Sequence, residues 1–411
     1  MTTRPRSPRR QAAPRPSAQT PKPSAKANPK PAPDRPEPAP LAADQSRMEI
    51  FLVATPGLEE PLAAEVRERG FTPEIQPGGV TFTGSWPEVW RANLEIRGAT
   101  RVLVRIGSFR AMHPAQLDKR ARRFPWADFL RPDIPVRVEA SSRQSRIYHA
   151  GAITQRIETA LRESLGATIA DDAPVTIKVR IEDDLCTISL DSSGESLHKR
   201  GHKQAVGKAP MRETMAAMFL RQCGYDGREP VLDPMCGSGT FVIEAAEMAA
   251  NLRPGRLRSF AFEHFTSFDP QAWEKLRSAP ARPAPDAPRF YGSDRDPGAI
   301  RMSTENAERA GVAALTEFRN LSIGDIEPPE GPPGLVIINP PYGARIGNKG
   351  PLFGLHAAMG EVLRSRFKGW RVAIVTTDAQ LARATGLPFL EPGPFVAHGG
   401  LKIRLWQTGP L

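Results

Sequence analysis

Four polar residues stand out because each falls at the end of a stretch that reads as a strand: Asp233 in VLDPMCGSGT, Asp294 in YGSDRDPGAI, Asp325 in LSIGDI and Asn339 in VIINPPYG. Gly237 and Gly239, just after the first, permit positive φ and let a ligand approach bare backbone. One carboxylate can accept both hydroxyls of a ribose. Another can accept an adenine amino group, and the glycines leave room for a charged amino-acid moiety. S-adenosylmethionine has these three parts. The P-loop pattern GxxxxGK[ST] is absent, which disfavours NTP hydrolysis, and Val242 stands where a dinucleotide fingerprint needs its third glycine. Asn339-Pro340-Pro341-Tyr342 is a different device. Prolines cannot continue a strand ladder, so an amide is held at a rigid corner.

Other chemistries find little support. The three cysteines, Cys186, Cys223 and Cys236, form no CxxC pair, so neither a zinc site nor a disulfide framework is indicated and a reducing cytosol fits. His198 and His202 sit at i,i+4 spacing without a third group at ligand spacing, so no metal is expected. Cys236 lies beside the glycines, but no histidine partner is evident and it reads as a packing residue.

These residues must be positioned by strands and helices. From residue 211 onward the pattern alternates strand and helix, which predicts a doubly wound, parallel sheet with ligands at the carboxyl ends of its strands. Asp233, Asp294, Asp325 and Asn339 are all expected there. Upstream, EIFLVAT, GGVTFTG and ATRVLVRIGSF read as strands around two helices, the second capped by Ser85. Residues 112–195 read as a second α+β unit with a hairpin turning at Asp183–Asp184. Its helix carries Lys119 and Arg120, and the stretch SSRQSRIYH carries Arg143 and Arg146 among hydroxyls, a composition suited to phosphate contacts. The connector beyond it, with Lys199 and Arg200, reads as a basic segment near an RNA or substrate groove.

The chain's formal charge is +11, which favours a polyanionic partner, nucleic acid first. Residues 1–46 hold nine Lys/Arg and three acids, so +6 of that charge sits there and +5 in the rest. This Pro-rich segment cannot bury enough surface to fold and is expected to be a disordered basic tail. No run approaches the roughly 18 apolar residues of a membrane span.

LDPMCGSGTFVIEAA, GSDRDPGAI and INPPYG together resemble the class I methyltransferases of exocyclic amines. With LVATPGLEEPLAAEV, RANLEIRGATRVL and LHKRGHK, the chain more closely resembles the THUMP-containing RNA guanine-N2 methyltransferases, in particular bacterial large-subunit rRNA members. The resemblance implies an α/β Rossmann-like methyltransferase with a mostly parallel seven-stranded sheet, preceded by α+β ferredoxin-like and THUMP domains. Its expected limits are a tail at 1–46, a ferredoxin-like domain at 47–111, THUMP at 112–195, a basic linker at 196–210 and a single methyltransferase half at 211–411. It implies S-adenosylmethionine bound by Asp233, Gly237, Gly239, Asp294 and Asp325. Asn339 and the Pro340 carbonyl then accept the N–H groups of the target amine, and Tyr342 stacks on the flipped base. The implied partner is RNA, rRNA or tRNA, in the cytoplasm. Lys119, Arg120, Arg143, Arg146, Lys199 and Arg200 are the expected RNA contacts. The alternatives are a tRNA guanine-N2 methyltransferase, which shares all three domains, an adenine-N6 enzyme acting on DNA, and a non-catalytic RNA-binding assembly factor. The THUMP-like region opposes the DNA enzyme, and the intact Asp233, Asp294 and NPPY oppose the assembly factor.

Overall fold

The computed structural model describes residues 45–204, 211–279, 289–341 and 350–411. Residues 1–44 of the tail expected at 1–46, residues 205–210 of the expected linker, and Tyr342 therefore lie outside the described residues.

The N-terminal half is built from β1 (Met48–Val53), α1 (Glu59–Glu68), β2 (Glu74–Gln76), β3 (Gly79–Gly84), α2 (Trp86–Glu95), β4 (Arg101–Arg110), α3 (Pro114–Arg122), β5 (Val136–Arg143), α4 (Ala150–Leu165), β6 (Val175–Glu182) and β7 (Leu185–Asp191). The expected cap of α2 is present: the Ser85 backbone N–H donates to the Glu88 carboxylate at 3.0 Å, and Pro87 occupies the first turn. Asp183 and Asp184 take φ of 48° and 62° between β6 and β7, the left-handed pair that matches strand twist in a two-residue hairpin. The two units expected at 47–111 and 112–195 share one seven-stranded sheet, ordered β2-β3-β1-β4-β7-β6-β5. The ten-residue β4 joins them, pairing antiparallel with β1 on one side and β7 on the other. Its alternation buries Val102, Val104 and Ile106 on one face.

The C-terminal half comprises α5 (Glu213–Gln222), β8 (Val231–Asp233), α6 (Thr240–Ala249), α7 (Pro270–Ser278), β9 (Phe290–Asp294), α8 (Pro297–Ala310), β10 (Thr316–Asn320), β11 (Leu335–Ile338), α9 (Gly350–Arg366), β12 (Arg371–Thr376), α10 (Ala379–Ala384), β13 (Val396–His398) and β14 (Leu401–Gln407). Its sheet runs β10-β9-β8-β11-β12-β14-β13. The first five strands are parallel; β14 is antiparallel to β12, and β13 to β14. This is the expected mostly parallel seven-stranded sheet. Its strand order reverses between β8 and β11, and such a switch point opens a crevice at the strand ends.

A buried ion network ties the halves together. Glu244 and Glu247 lie one turn apart on α6, whose residues Thr240–Glu247 are all buried. Arg97, just past α2, donates to Glu244 at 2.8 Å and to Glu247 at 3.2 Å. Arg200 reaches Glu244 at 3.1 Å, and Arg256 reaches Glu247 at 2.6 Å. Glu65 of α1 accepts the backbone N–H groups of Arg97 and Gly98 at 2.8 and 2.9 Å. The reading of Arg200 as an RNA contact is thereby corrected. The residue is 2% exposed, and its guanidinium also donates to the carbonyls of Leu197 and Arg97, so it has no surface to offer. The connector is likewise core at Leu197 and His202.

Burial alone would push the Glu244 carboxyl up, but Arg200 and Arg97 hold it below the usual carboxylate range. The stability it contributes is present above the unfolded carboxyl pKa and is lost as pH falls through the lower folded value. We expect Glu244→Ala to cost about 3–5 kcal/mol in urea unfolding, because it strands buried guanidinium groups. Arg228→Ala, which loses an exposed pair with Asp226, should leave the midpoint unchanged. Equal midpoints for the two variants would show that the network carries no stability.

Candidate active site

The switch point brings Asp233 and Asn339 to neighbouring strand ends. β8 and β11 pair in parallel, Val231 with Leu335 and Leu232 with Val336, and Asn339 is the first residue beyond β11. The side-chain Oδ1 of Asn339 is buried and has no hydrogen-bond partner. Pro340 behind it is buried and Pro341 is exposed. An acceptor left in this condition costs about 1–3 kcal/mol, so the corner holds it at the expense of stability.

The glycine turn between β8 and α6 is fastened from β9 and α8. Cys236 N–H donates to the Ser293 carbonyl at 2.9 Å, and Gly237 N–H donates to the Asp294 carboxylate at 3.1 Å. From α8, Ser303 Oγ donates to the Gly237 carbonyl at 2.9 Å, and Asn306 Nδ2 to the Ser238 carbonyl at 3.1 Å. Gly237 has φ +54° and nothing within 4 Å of where a Cβ would stand, so its backbone is open to a ligand. Gly239 has φ +81°, and a Cβ there would meet Ser303 at 3.1 Å. Both glycines are required by backbone conformation.

The carboxylates differ in environment. Asp233 is 2% exposed. Burial, reinforced by the Asp294 charge, pushes its pKa up to about 8 against the pull of one bond from Met235 N–H. Asp294 is half-buried at the end of β9, and each oxygen accepts one backbone N–H, from Gly237 and from Asp296 at 3.0 Å. A carboxylate has about four lone-pair sites, so acceptor capacity for a diol remains. Asp325 departs from the expectation. β10 ends at Asn320, and Asp325 lies five residues on, exposed in a turn where it accepts from Ser322 Oγ at 2.6 Å. The Cys236 thiol is held protonated, by burial first and by Asp233 second, which fits packing rather than nucleophilic attack.

Some groups at the site escape sequence reasoning. Lys203 Nζ donates to Thr240 Oγ1 at 2.8 Å and to the Met211 carbonyl at 3.0 Å, and it pairs with Glu213 at 3.0 Å, bracing the start of α6. Ser303 and Asn306 give one signal, as polar residues on the buried stripe of an amphipathic helix. Among the expected RNA contacts, Lys119 is exposed, Arg120 half-buried, and Lys199 exposed and paired with Glu195 at 2.7 Å. Arg143 and Arg146 are exposed beside the β6–β7 turn, 3.8 Å from Glu182 and 3.7 Å from Asp184. Tyr148, 81% exposed, stands next to them. Its signal is an aromatic interleaved with arginines.

Comparison with known proteins agrees with this geometry. Residues 49–103 match an RlmL ferredoxin-like domain, 114–191 a THUMP domain, and 200–390 an RMKL-like methyltransferase domain. The chain is 31% identical over 368 residues to a putative RNA methyltransferase of Synechocystis, spanning 86% of this chain and 95% of that protein. It is 33% identical to a ribosomal RNA large subunit methyltransferase K/L of Psychromonas ingrahamii over 83% of this chain, but spans only 47% of that longer protein. SMU.472, described as a putative methyltransferase complexed with SAH, superposes with a TM-score of 0.79 at 26% identity, covering 89% of this chain and 99% of its own. Among the described residues no helix is long and apolar enough to cross a membrane, and no cluster of three His, Cys, Asp or Glu could hold a metal ion.

Removing the orphaned acceptor should relieve the corner. Asn339→Ala is expected to unfold at an equal or higher temperature than wild type, by up to about 1–3 kcal/mol in stability. A clear loss of stability in calorimetry would mean that Asn339 is structural.

Proposed function

The chain belongs to the THUMP-containing, RMKL-like methyltransferase family, and on that premise we propose that it methylates the exocyclic N2 amine of a guanosine in RNA, 23S rRNA first, with S-adenosylmethionine as cofactor. The observation that carries the reading is the partnerless Oδ1 of Asn339 at the sheet switch point. The rRNA assignment draws on the name of the K/L relatives, and the choice of guanine N2 draws on the resemblance of the motif set.

The residues fit the cofactor. Asp294 retains acceptor capacity for the ribose hydroxyls, Gly237 and Gly239 leave backbone bare for the methionine part, Asp233 faces its cationic end, and Asp325 accepts from the adenine amino group. S-adenosylmethionine supplies an electrophilic methyl on a sulfonium. The chain's own task is positioning. The lone pair of an aryl amine is delocalised into the ring, which makes it a poor nucleophile. Asn339 Oδ1 and the Pro340 carbonyl accept its two N–H bonds and turn the lone pair toward the methyl group. Such orientation lowers a barrier by several kcal/mol, up to about 7–11 in ideal cases. Tyr342 stacks on the base, worth about 1–3 kcal/mol. With the cofactor bound, the amine nitrogen would take the methyl group in exchange for one of its own protons, which would pass to water, while Asn339 and Pro340 hold the nitrogen in place.

The N-terminal half, with the ferredoxin-like and THUMP limits given above, supplies the RNA surface. Lys119, Arg120, Arg143, Arg146 and Lys199 contact phosphates, and Tyr148 adds a stacking face. The proposed place of work is the cytoplasm, where such rRNA is modified.

Two outcomes follow. With isotopically labelled S-adenosylmethionine and unmodified 23S rRNA, nucleoside mass spectrometry should show labelled N2-methylguanosine. Asn339→Ala should lower the rate by about 10²–10³-fold while cofactor affinity holds. Label in adenosine, or in tRNA alone, would overturn the assignment. Second, cofactor binding near pH 7 should release a proton from Asp233, because a cationic ligand favours its ionised form and pulls down a pKa now near 8. Calorimetry in buffers of different ionisation enthalpy should detect this release in wild type and not in Asp233→Asn. Identical proton release in both would remove Asp233 from the cofactor site.

A further inference from the structure

A second cleft, of about 390 Å³, opens on the same rim of the sheet. β14 runs antiparallel to β12 and pairs Arg404 with Thr376, the last residue of β12. The β13–β14 turn therefore projects beyond the carboxyl end of β12, on the edge that carries Asp233 and Asn339. His398 and Gly399 from this turn form one wall of the cleft. Thr55, Thr100 and Arg101 from the N-terminal half, Ser196 from the connector and Arg212 supply its other polar groups, and among the described residues no acidic side chain lines it. Arg212 adjoins Met211, whose carbonyl is held by Lys203 beside the glycine turn.

The charges within are unevenly spent. Arg101 is paired with the buried Asp191. Arg212 is exposed, and no ion pair engages it among the described residues. His398 has a buried Nδ1 with no partner. Burial, then the Arg212 charge, hold its imidazole below the ordinary pKa. Burial first, then the charges of Arg212, Lys203, Arg200 and Lys199, bring His198, hydrogen-bonded to Ser196 Oγ at 2.8 Å, to about 4. An exposed arginine outside the ion pairs of the described residues, beside an imidazole nitrogen that has no partner, suits an anion.

We propose that this cleft holds a backbone phosphate of the RNA close to the target nucleotide, with Arg212 as the charged contact and His398 as a neutral donor. The inference rests on the reading that RNA is the substrate. It adds a contact outside the THUMP surface, placed where it fixes the strand against the catalytic rim. A guanidinium meets phosphate oxygens through two parallel N–H bonds, which position the backbone without reading sequence.

The test uses the full chain and a fluorescein-labelled fragment of a 23S rRNA transcript, with affinity measured by anisotropy across a salt series. Arg212→Ala should weaken binding and make the slope of log K against log salt shallower by roughly 0.7–1, one phosphate's worth. Arg212→Lys should keep the slope, and His398→Ala should weaken binding with the slope unchanged. Affinity for S-adenosylmethionine, measured by calorimetry, should be the same in all three. An Arg212→Ala protein with wild-type affinity and slope overturns the inference and leaves the methyltransferase reading intact. Loss of cofactor affinity in Arg212→Ala would assign the cleft to the cofactor's carboxylate and overturn it too. A wild-type chain that binds no RNA overturns both.

Discussion

The buried acids of α6 are the constraint from which the arrangement follows. The helix begins at Thr240, directly after the glycine turn, and one turn further Glu244 and Glu247 fix Arg97, Arg200 and Arg256. One helix thus presents the turn on which the cofactor is proposed to lie and anchors the sheet that carries the proposed RNA surface. A hydrophobic contact between the halves would tolerate sliding. A network of charges in a dry interface does not, because displacement strands a charge. The half with Arg143 and Tyr148 is therefore held in one register against the half with Asn339. That fixed span suits an enzyme that grips RNA at one place and acts on it at another.

The proposed site stores polarity in the same way and leaves it unspent. Asp233 is held protonated near neutral pH by burial and by its neighbour Asp294. Asn339 keeps a buried acceptor without a donor, and Ser293 Oγ beside the turn is also without a partner. Asn93, by contrast, is a buried amide that is matched, bonding Ser192 and Ser193 at 2.9 and 2.7 Å. Unmatched buried atoms also occur away from this rim, at Trp90 Nε1, Thr214 Oγ1 and His356 Nε2 among others; what sets Asn339 and Ser293 apart is their place beside a glycine turn whose backbone is open to a ligand.

Much of this was legible in the sequence because it is local. A strand ending in Asp, a glycine at positive φ and an Asp-Asp hairpin turn each leave a mark within a few residues. Strand–helix alternation points to the parallel sheet, and Asn339 is marked by the apolar run that stops at it and by the prolines that follow. What was not legible depends on partners far away in the chain. Arg200 sits in a basic, glycine-bearing stretch that looks solvated, and only Glu244, 44 residues on, makes it core. Arg97 needs the same residue from 147 positions away. The sharing of one sheet by the two N-terminal units depends on β4 having two antiparallel neighbours, which alternation cannot reveal. TEFRNLSIGDI reads as a single strand reaching Asp325, whereas β10 stops at Asn320 and the chain turns first.

The central claim is that the Asn339 amide is an acceptor waiting for the target amine. A crystal structure of the chain with S-adenosylhomocysteine and an RNA fragment bearing the target guanosine tests it most directly. The account requires the guanine N2 within about 2.7–3.2 Å of Asn339 Oδ1, with the ribose of the cofactor product on Asp294. A guanine bound away from the β8–β11 crevice, with Asn339 Oδ1 bonded to a protein group instead, would contradict it.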